Sequence, residues 1–121
     1  ELASYYRKII DDIEFISPAQ KEINSIISNH IFPVRIDFEA LKIKRNDLMI
    51  FLRQNLIYTQ VHYIPIPIHP YYKNMGYEIT KYKKNMIYFK EALTLPLYYQ
   101  LENSQVDYVL NKLKSFFEKK C

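Results

Sequence analysis

The chain contains a single glycine, Gly76, among its 121 residues. Phosphate-binding loops and the G-x-G-x-x-G turn of dinucleotide-binding folds need several glycines, because only glycine lets the backbone approach phosphate closely. The single cysteine, Cys121, likewise excludes a disulfide framework and a zinc site built from several cysteines. The sequence therefore excludes the folds that hold nucleotides in glycine-rich loops.

The longest stretch without a charged residue, positions 54–72, is interrupted by Pro65, Pro67 and Pro70. Prolines would leave backbone groups unbonded in lipid, so we expect no transmembrane helix and no membrane partner. Hydrophobic residues make up 49% of the chain and charged residues 25%, which is typical of a globular protein. We expect residues 1–121 to form a single domain in the cytoplasm, since one cysteine fits a reducing compartment.

Hydrophobic periodicity predicts helices and strands in alternation along the chain. Apolar residues three and four positions apart indicate helices near 2–13, 46–54, 81–93 and 104–118. Residues rich in β-branched and aromatic side chains indicate strands at 31–36 and 57–63, followed by a short extended piece at 94–97. Pro33 has no N–H to donate, so the first strand is expected at a sheet edge or with a bulge. This order predicts an α+β fold in which helices cover a small, mostly antiparallel sheet.

The stretch 62–72 holds two of the three histidines and three tyrosines, next to the end of the second predicted strand. Strand ends that lead into loops commonly present ligand groups. Imidazole transfers protons near neutral pH, so His62 is a candidate acid or base. No Ser, Cys or carboxylate stands beside it, so a hydrogen-bonded structural role is the alternative. His62 and His69 lack a nearby carboxylate, and we expect no metal site.

Several segments of the chain resemble the closing part of the DegT-type sugar-nucleotide aminotransferases. They are Gln60-Val-His-Tyr-Ile-Pro65, Pro70-Tyr-Tyr72, Leu95-Pro-Leu-Tyr98 and Gln105-Val-Asp-Tyr-Val109. Upstream, Leu2-Ala-Ser-Tyr-Tyr6 is similar to the helix that links the large and small domains of that family, and residues 30–37 are similar to its H-x-x-P-V-R strand. The resemblance therefore spans nearly the whole chain, in order.

The resemblance implies that the chain is the C-terminal small domain of a longer protein, with the small antiparallel sheet of such domains. The missing large domain would carry pyridoxal phosphate on a lysine. The parent protein, as a homodimer, would transfer an amino group from glutamate to a 4-keto-6-deoxy sugar nucleotide for surface-glycan or nonulosonic acid biosynthesis. The Tyr-Ile-Pro form is most similar to members that make UDP-4-amino-4,6-dideoxy-N-acetyl-altrosamine, the precursor of pseudaminic acid.

The same resemblance implies substrate-binding roles for His62, Tyr63, Tyr58 and His69. His69 stands two positions after Pro67, where the family often has its histidine. No residue of this chain is expected to be catalytic or to bind the cofactor, so the chain alone is expected to be inactive.

A protein of a different class is the alternative, namely a binding module for single-stranded RNA or another anionic ligand. Twelve tyrosines and a net charge of +4 would suit base stacking and neutralisation of a phosphate backbone. Most of these tyrosines fall at helix or strand positions that suit a core, and no signature of a common RNA-binding module is present. We therefore expect no nucleic-acid partner.

Overall fold

The computed structural model describes residues 1–20 and 28–119. Within these ranges the helices are α1 (Leu2–Ile10), α2 (Arg45–Gln54), α3 (Pro70–Asn74), α4 (Lys83–Glu91) and α5 (Asn103–Glu118). The strands are β1 (Ile16–Pro18), β2 (Phe32–Ile36) and β3 (Ala92–Leu95), and short 3₁₀ turns lie at Ile66–Ile68 and Ile79–Tyr82. No helix in the described ranges is long and apolar enough to cross a membrane.

The three strands form one antiparallel sheet in the order β1-β2-β3. Alternate residues of β2, namely Phe32, Val34 and Ile36, are buried on one face of this sheet. Val34 lies opposite Leu93 of β3, which is also fully buried. Helices α1, α2 and α5 contribute to the same hydrophobic core. The predicted α+β fold with a small antiparallel sheet is confirmed.

The prediction of a strand at 57–63 is wrong. In this stretch only Gln60 pairs with the sheet, through an isolated bridge in which two backbone hydrogen bonds of 3.2 and 2.7 Å join it to Thr94. Leu56 has a φ of +61°, which turns the chain as it leaves α2, and the prolines from 65 onward cannot continue a ladder. The stretch therefore meets the edge of β3 at one residue, because β-branched composition alone does not decide strand pairing.

Pro33 lies in the central strand, so its predicted place in an edge strand is also wrong. The N–H and C=O groups of one residue point toward the same neighbouring strand in an antiparallel sheet. The C=O of Pro33 accepts a hydrogen bond of 3.0 Å from the N–H of Ala19, one residue past the end of β1. The missing donor of Pro33 therefore faces the end of β1 and leaves the ladder between β2 and β3 intact.

The long helices follow their predicted positions more closely than the strands do. Helices α2 and α5 begin one residue before the predicted ranges and end where they were predicted to end, whereas α1 ends at Ile10 instead of residue 13. The helix predicted to reach residue 93 ends at Glu91, and β3 begins at once. All four residues of β3 are buried, so packing against β2 overrides the helical periodicity there.

Residues 63–91, which we call the exposed segment, contain α3, α4 and both 3₁₀ turns, yet only Pro67 among them is buried. The segment leaves many large apolar side chains in solvent, including those of Tyr71, Met75 and Tyr77. The expectation that most tyrosines suit a core is wrong, because only Tyr6 is buried and nine of the twelve are exposed. These rings are available to a ligand or to another part of the protein.

Tyr6 connects α1 to both the sheet and the chain that follows β3. Its ring stacks on Phe32, with ring centroids 4.7 Å apart, and its hydroxyl donates a 3.0 Å hydrogen bond to the C=O of Pro96. Burial, helped by the nearby Tyr98, raises the pKa of Tyr6 well above its ordinary value. The folded chain therefore holds the neutral phenol at alkaline pH.

The core predicts a large difference between two leucines four residues apart. Leu52 is fully buried in α2, whereas Leu56 is 80% exposed. We expect Leu52→Ala to lower the free energy of unfolding by about 2–5 kcal/mol, because it leaves a cavity. The matched change Leu56→Ala should alter it by less than about 0.5 kcal/mol. Urea denaturation measures both, and equal losses would contradict this description of the core.

The raised pKa of Tyr6 predicts a loss of stability at alkaline pH. In the unfolded chain this phenol ionises near pH 10, while the folded chain retains the proton, so rising pH favours unfolding. The free energy of unfolding of the wild type should fall above about pH 10 more steeply than that of Tyr6→Phe. Urea denaturation at a series of pH values from 8 to about 11 measures this; parallel curves for the two proteins would contradict it.

Candidate functional site

A groove of about 710 Å³ lies between the chain that follows α2, the end of β3 with the residues after it, and the start of α5. Its polar and aromatic lining residues are His30, Asn55, Tyr58, Gln60, His62, Thr94, Tyr98, Ser104, Gln105 and Tyr108. The apolar lining comes mainly from aliphatic side chains and Pro96. Residues 30–31, just before β2, complete the lining, so four segments of the chain form one concave surface.

The first wall of the groove begins at the end of α2. The side-chain amide of Asn55 donates a 2.8 Å hydrogen bond to the C=O of Phe51, and Leu56 then turns the chain with its positive φ. Ile57 is buried against the core, which leaves the ring of Tyr58 exposed on the groove side. The burial of Ile57 therefore positions the ring of Tyr58 in the groove.

The opposite wall is the first part of α5. Glu102 and Gln105 form a capping box, in which the backbone N–H of Glu102 donates to Oε1 of Gln105 at 2.9 Å. One turn further along, the hydroxyl of Tyr108 donates to the C=O of Asn55 at 3.4 Å. This bond joins the two walls of the groove.

His62 is held by contacts on several sides. Its Nδ1 lies 2.8 Å from Oγ1 of Thr94, and its C=O accepts a 3.3 Å hydrogen bond from the hydroxyl of Tyr88. Its ring meets the ring of Tyr63 edge to face, with centroids 4.7 Å apart. The peptide bond between His62 and Tyr63 is cis. With Nδ1 engaged by Thr94, Nε2 is the ring nitrogen that remains for a ligand.

Behind His62, an ion pair supports the end of α4. Nε of Arg35 donates to Oε2 of Glu91 at 2.6 Å, and the two groups are partly exposed. Burial raises the pKa of Tyr88, against the opposing effect of the Arg35 charge. Tyr88 therefore keeps its proton near neutral pH and remains able to donate to the backbone of His62.

The structure brings together two of the four residues predicted to bind substrate. His62 and Tyr58 line the groove. Tyr63 lies outside the lining, 71% exposed but in ring contact with His62, and His69 is exposed at the start of α3. The predicted structural role of His62 is also present, since Thr94 engages its ring.

Sequence reasoning missed several residues that line the groove. Gln60, Tyr98, Gln105 and Tyr108 belong to the segments that carried the family resemblance, so these segments contained the signal. Only a weak feature of the sequence indicated Thr94, namely that it is a hydroxyl residue between two leucines. Among the residues described, Thr94 is the only buried polar one.

The lining of the groove suits binding rather than bond breaking. It offers hydroxyls, amides, imidazole and aromatic rings, and within the described chain no Asp, Glu, Lys or Arg lines it. Such neutral donors and acceptors, next to apolar walls, fix the orientation of a polar ligand. No cluster of three or more potential metal ligands occurs within residues 1–20 and 28–119.

Comparison with known proteins assigns the chain to a family of aminotransferases. Residues 1–114 match the model of the DegT/DnrJ/EryC1/StrS aminotransferase family, and the chain belongs to this family. The chain is 33% identical over 87 residues to the spore coat polysaccharide biosynthesis protein SpsC of Bacillus subtilis. The matched region covers 70% of this chain and 22% of SpsC.

Solved structures agree with this assignment. The chain superposes on Spr1654 of Streptococcus pneumoniae, described as a sugar aminotransferase, in its pyridoxal phosphate form, with a TM-score of 0.86 and 29% identity over 99% of this chain and 30% of that one. Helicobacter pylori PseC, an aminotransferase of pseudaminic acid biosynthesis, shares the fold with a TM-score of 0.85 at 21% identity, over 97% of this chain and 31% of that one. The chain spans less than a third of the length of these relatives.

Proposed function

We propose that this chain is the small domain of a pyridoxal phosphate-dependent sugar aminotransferase and that its groove binds the sugar nucleotide. The observation that carries the proposal is the convergence of segments 60–65, 95–98 and 105–109, each of which contributes residues to the groove. These segments are separated in the sequence, and each also carries the family resemblance. A shared ligand gives a physical reason for them to meet.

The chemistry of the groove supports a sugar ligand. The side-chain amides of Gln60 and Gln105 match the hydroxyls of a sugar ring, and the rings of Tyr58 and Tyr98 provide flat apolar surfaces beside them. His62 adds an imidazole nitrogen that can bond a sugar or phosphate oxygen. In this proposal the domain binds and orients the substrate, which brings the reacting carbon into register with the amino donor.

The lining of the groove does not fit pyridoxal phosphate itself. That cofactor requires a lysine for its imine and a phosphate-binding cup, and no lysine lines the groove within the described residues. No step of amino transfer is therefore assigned to this chain. The cofactor and its lysine belong, in this proposal, to the remainder of the protein.

The exposed segment supports the view that the chain is one domain of a larger protein. Residues 63–91 bury only Pro67 and leave apolar side chains such as Tyr71 and Met75 in solvent. A contact with the remaining part of the protein, or with the second subunit of a homodimer, would cover them. Tyr63 and His69, which lie outside the groove lining, are then placed to contribute from its rim.

The substrate is further proposed to be a 4-keto-6-deoxy UDP-sugar, with glutamate as the amino donor. The Tyr63-Ile64-Pro65 sequence supports this choice, because it resembles the family members that make the pseudaminic acid precursor. The alternative, a module for single-stranded RNA, has no support in the groove. Such modules track the nucleic-acid backbone with a positively charged groove, whereas neither Lys nor Arg lines this one in the described chain.

The first test of the proposal uses the chain alone with pyridoxal phosphate. Although the chain has thirteen lysines, we expect borohydride to trap only scattered adducts below one per chain, because no site holds the cofactor. Mass spectrometry of the tryptic peptides measures the modified fraction at each lysine. A stoichiometric adduct on one lysine would overturn the small-domain proposal.

The second test uses the full-length protein that contains this chain. We expect His62→Ala and Tyr58→Phe to raise KM for the nucleotide sugar about tenfold and about threefold, since each removes a hydrogen bond to substrate. KM for the amino donor and the melting temperature of Tyr58→Phe should stay unchanged. Tyr63→Phe tells whether the neighbouring hydroxyl also reaches the substrate.

The matched control for Tyr58 is Tyr99→Phe, which makes the same chemical change at a fully exposed residue outside the groove lining and outside the exposed segment. Its kinetics should equal those of the wild type. If His62→Ala and Tyr58→Phe also retain wild-type kinetics, the groove is scaffolding and the proposed binding site is wrong.

A further inference from the structure

We propose that Thr94 is a positioning residue for His62. Its hydroxyl donates to Nδ1, which holds the imidazole in the tautomer that carries its proton on Nε2 and directs that N–H into the groove. The inference rests on the proposed function, in which the groove binds a nucleotide sugar. It specifies the direction of one hydrogen bond in that site, in which His62 donates to an oxygen atom of the ligand.

The burial of Thr94 leaves its hydroxyl hydrogen few alternatives. Thr94 is 7% exposed, and Nδ1 of His62, at 2.8 Å, is the hydrogen-bond partner that the described residues provide for Oγ1. A buried hydroxyl whose hydrogen has no acceptor is destabilising. Nδ1 accepts a hydrogen bond only when it carries no proton, and the proton of the neutral ring is then on Nε2.

The register of the sheet accounts for the position of this hydroxyl. Side chains alternate along a strand, so the burial of Leu93 and Leu95 in the core directs Thr94 to the other face. The two backbone hydrogen bonds between Thr94 and Gln60 hold the next segment against β3 at this point. His62 follows Gln60 by two residues, within reach of the hydroxyl.

The backbone of His62 is held independently of its ring. The hydroxyl of Tyr88 in α4 donates to the C=O of His62, while Thr94 engages the side chain from β3. The ring itself is oriented by the Thr94 bond together with the edge-to-face contact with Tyr63, and of these two only the bond distinguishes the ring nitrogens. Nε2 of His62 has no hydrogen-bond partner among residues 1–20 and 28–119, and the residue lines the groove.

The tautomer is measured by nitrogen NMR on the chain with ¹⁵N-labelled histidine, at a pH where the rings are neutral. The chain has three histidines, so the His62 signals are assigned by their loss in His62→Ala. We expect Nδ1 to give the signal of an unprotonated nitrogen and Nε2 that of a protonated one. Thr94→Ser, which keeps the hydroxyl, should retain this pattern.

Thr94→Val keeps the shape of the side chain but removes the hydroxyl. The two nitrogen signals of His62 should then move toward each other, because the ring exchanges between tautomers. Thr59→Val makes the same chemical change at a half-exposed residue outside the groove, and its spectrum should match the wild type. A protonated Nδ1 in the wild type, or an unchanged His62 spectrum in Thr94→Val, would overturn the inference.

The functional consequence is measured in the full-length protein. Thr94→Val should raise KM for the nucleotide sugar about three- to tenfold, the range expected for one neutral hydrogen bond. Its kcat and its KM for the amino donor should remain close to the wild type, and Thr94→Ser should restore KM. A purely structural role would instead lower the melting temperature of Thr94→Val and leave its KM values unchanged, which contradicts the inference.

Inhibition by UDP identifies which part of the ligand His62 contacts. If Ki for UDP rises with KM in Thr94→Val, the acceptor is an oxygen of the UDP part; if Ki is unchanged, it is an oxygen of the transferred sugar. Both results support the inference. The two proposals fail separately. If the tautomer is as expected but KM is normal in both His62→Ala and Thr94→Val, the proposed binding site is wrong. If KM rises in His62→Ala but not in Thr94→Val, only the proposed role of Thr94 is wrong.

Discussion

The pairing of β3 with the central strand β2 is the constraint on which the site depends. Its register places Leu93 opposite Val34 and Leu95 opposite Phe32, all of them buried in the core. A shift by one residue would turn both leucines away from the core and Thr94 into it, because side chains alternate between the faces of a sheet. Burial of the leucines therefore determines which face carries the hydroxyl beneath His62.

The described chain divides into a part that shares one core and a part with almost no buried residues. Helices α1, α2 and α5 share one core with the sheet, and the groove lies along that core. The exposed segment at 63–91 buries only Pro67. Its last helix, α4, is held to the rest of the chain by the ion pair between Arg35 and Glu91 and by the hydrogen bond from Tyr88 to His62.

Local patterns predicted the elements whose own residues carry a strong signal. Helix α5 has apolar residues at helical spacing over four turns, and its ends were predicted to within one residue. The strand predicted at 57–63 failed because composition indicated an extended conformation without saying which strand it would pair with. Strand β3 was assigned in part to the preceding helix, because four buried residues are too few to show a period of their own.

The sequence by itself determined the family, the α+β class and the segments that carry the family resemblance, since these depend on residue identity and order. Through the resemblance, it also indicated His62 and Tyr58 as candidate substrate-binding residues. Only the tertiary structure decided that these two line the groove while Tyr63 and His69 do not. It alone placed Thr94 against a histidine 32 residues away in the chain. Such contacts follow from the register of the sheet and the packing of its core, which no local pattern records.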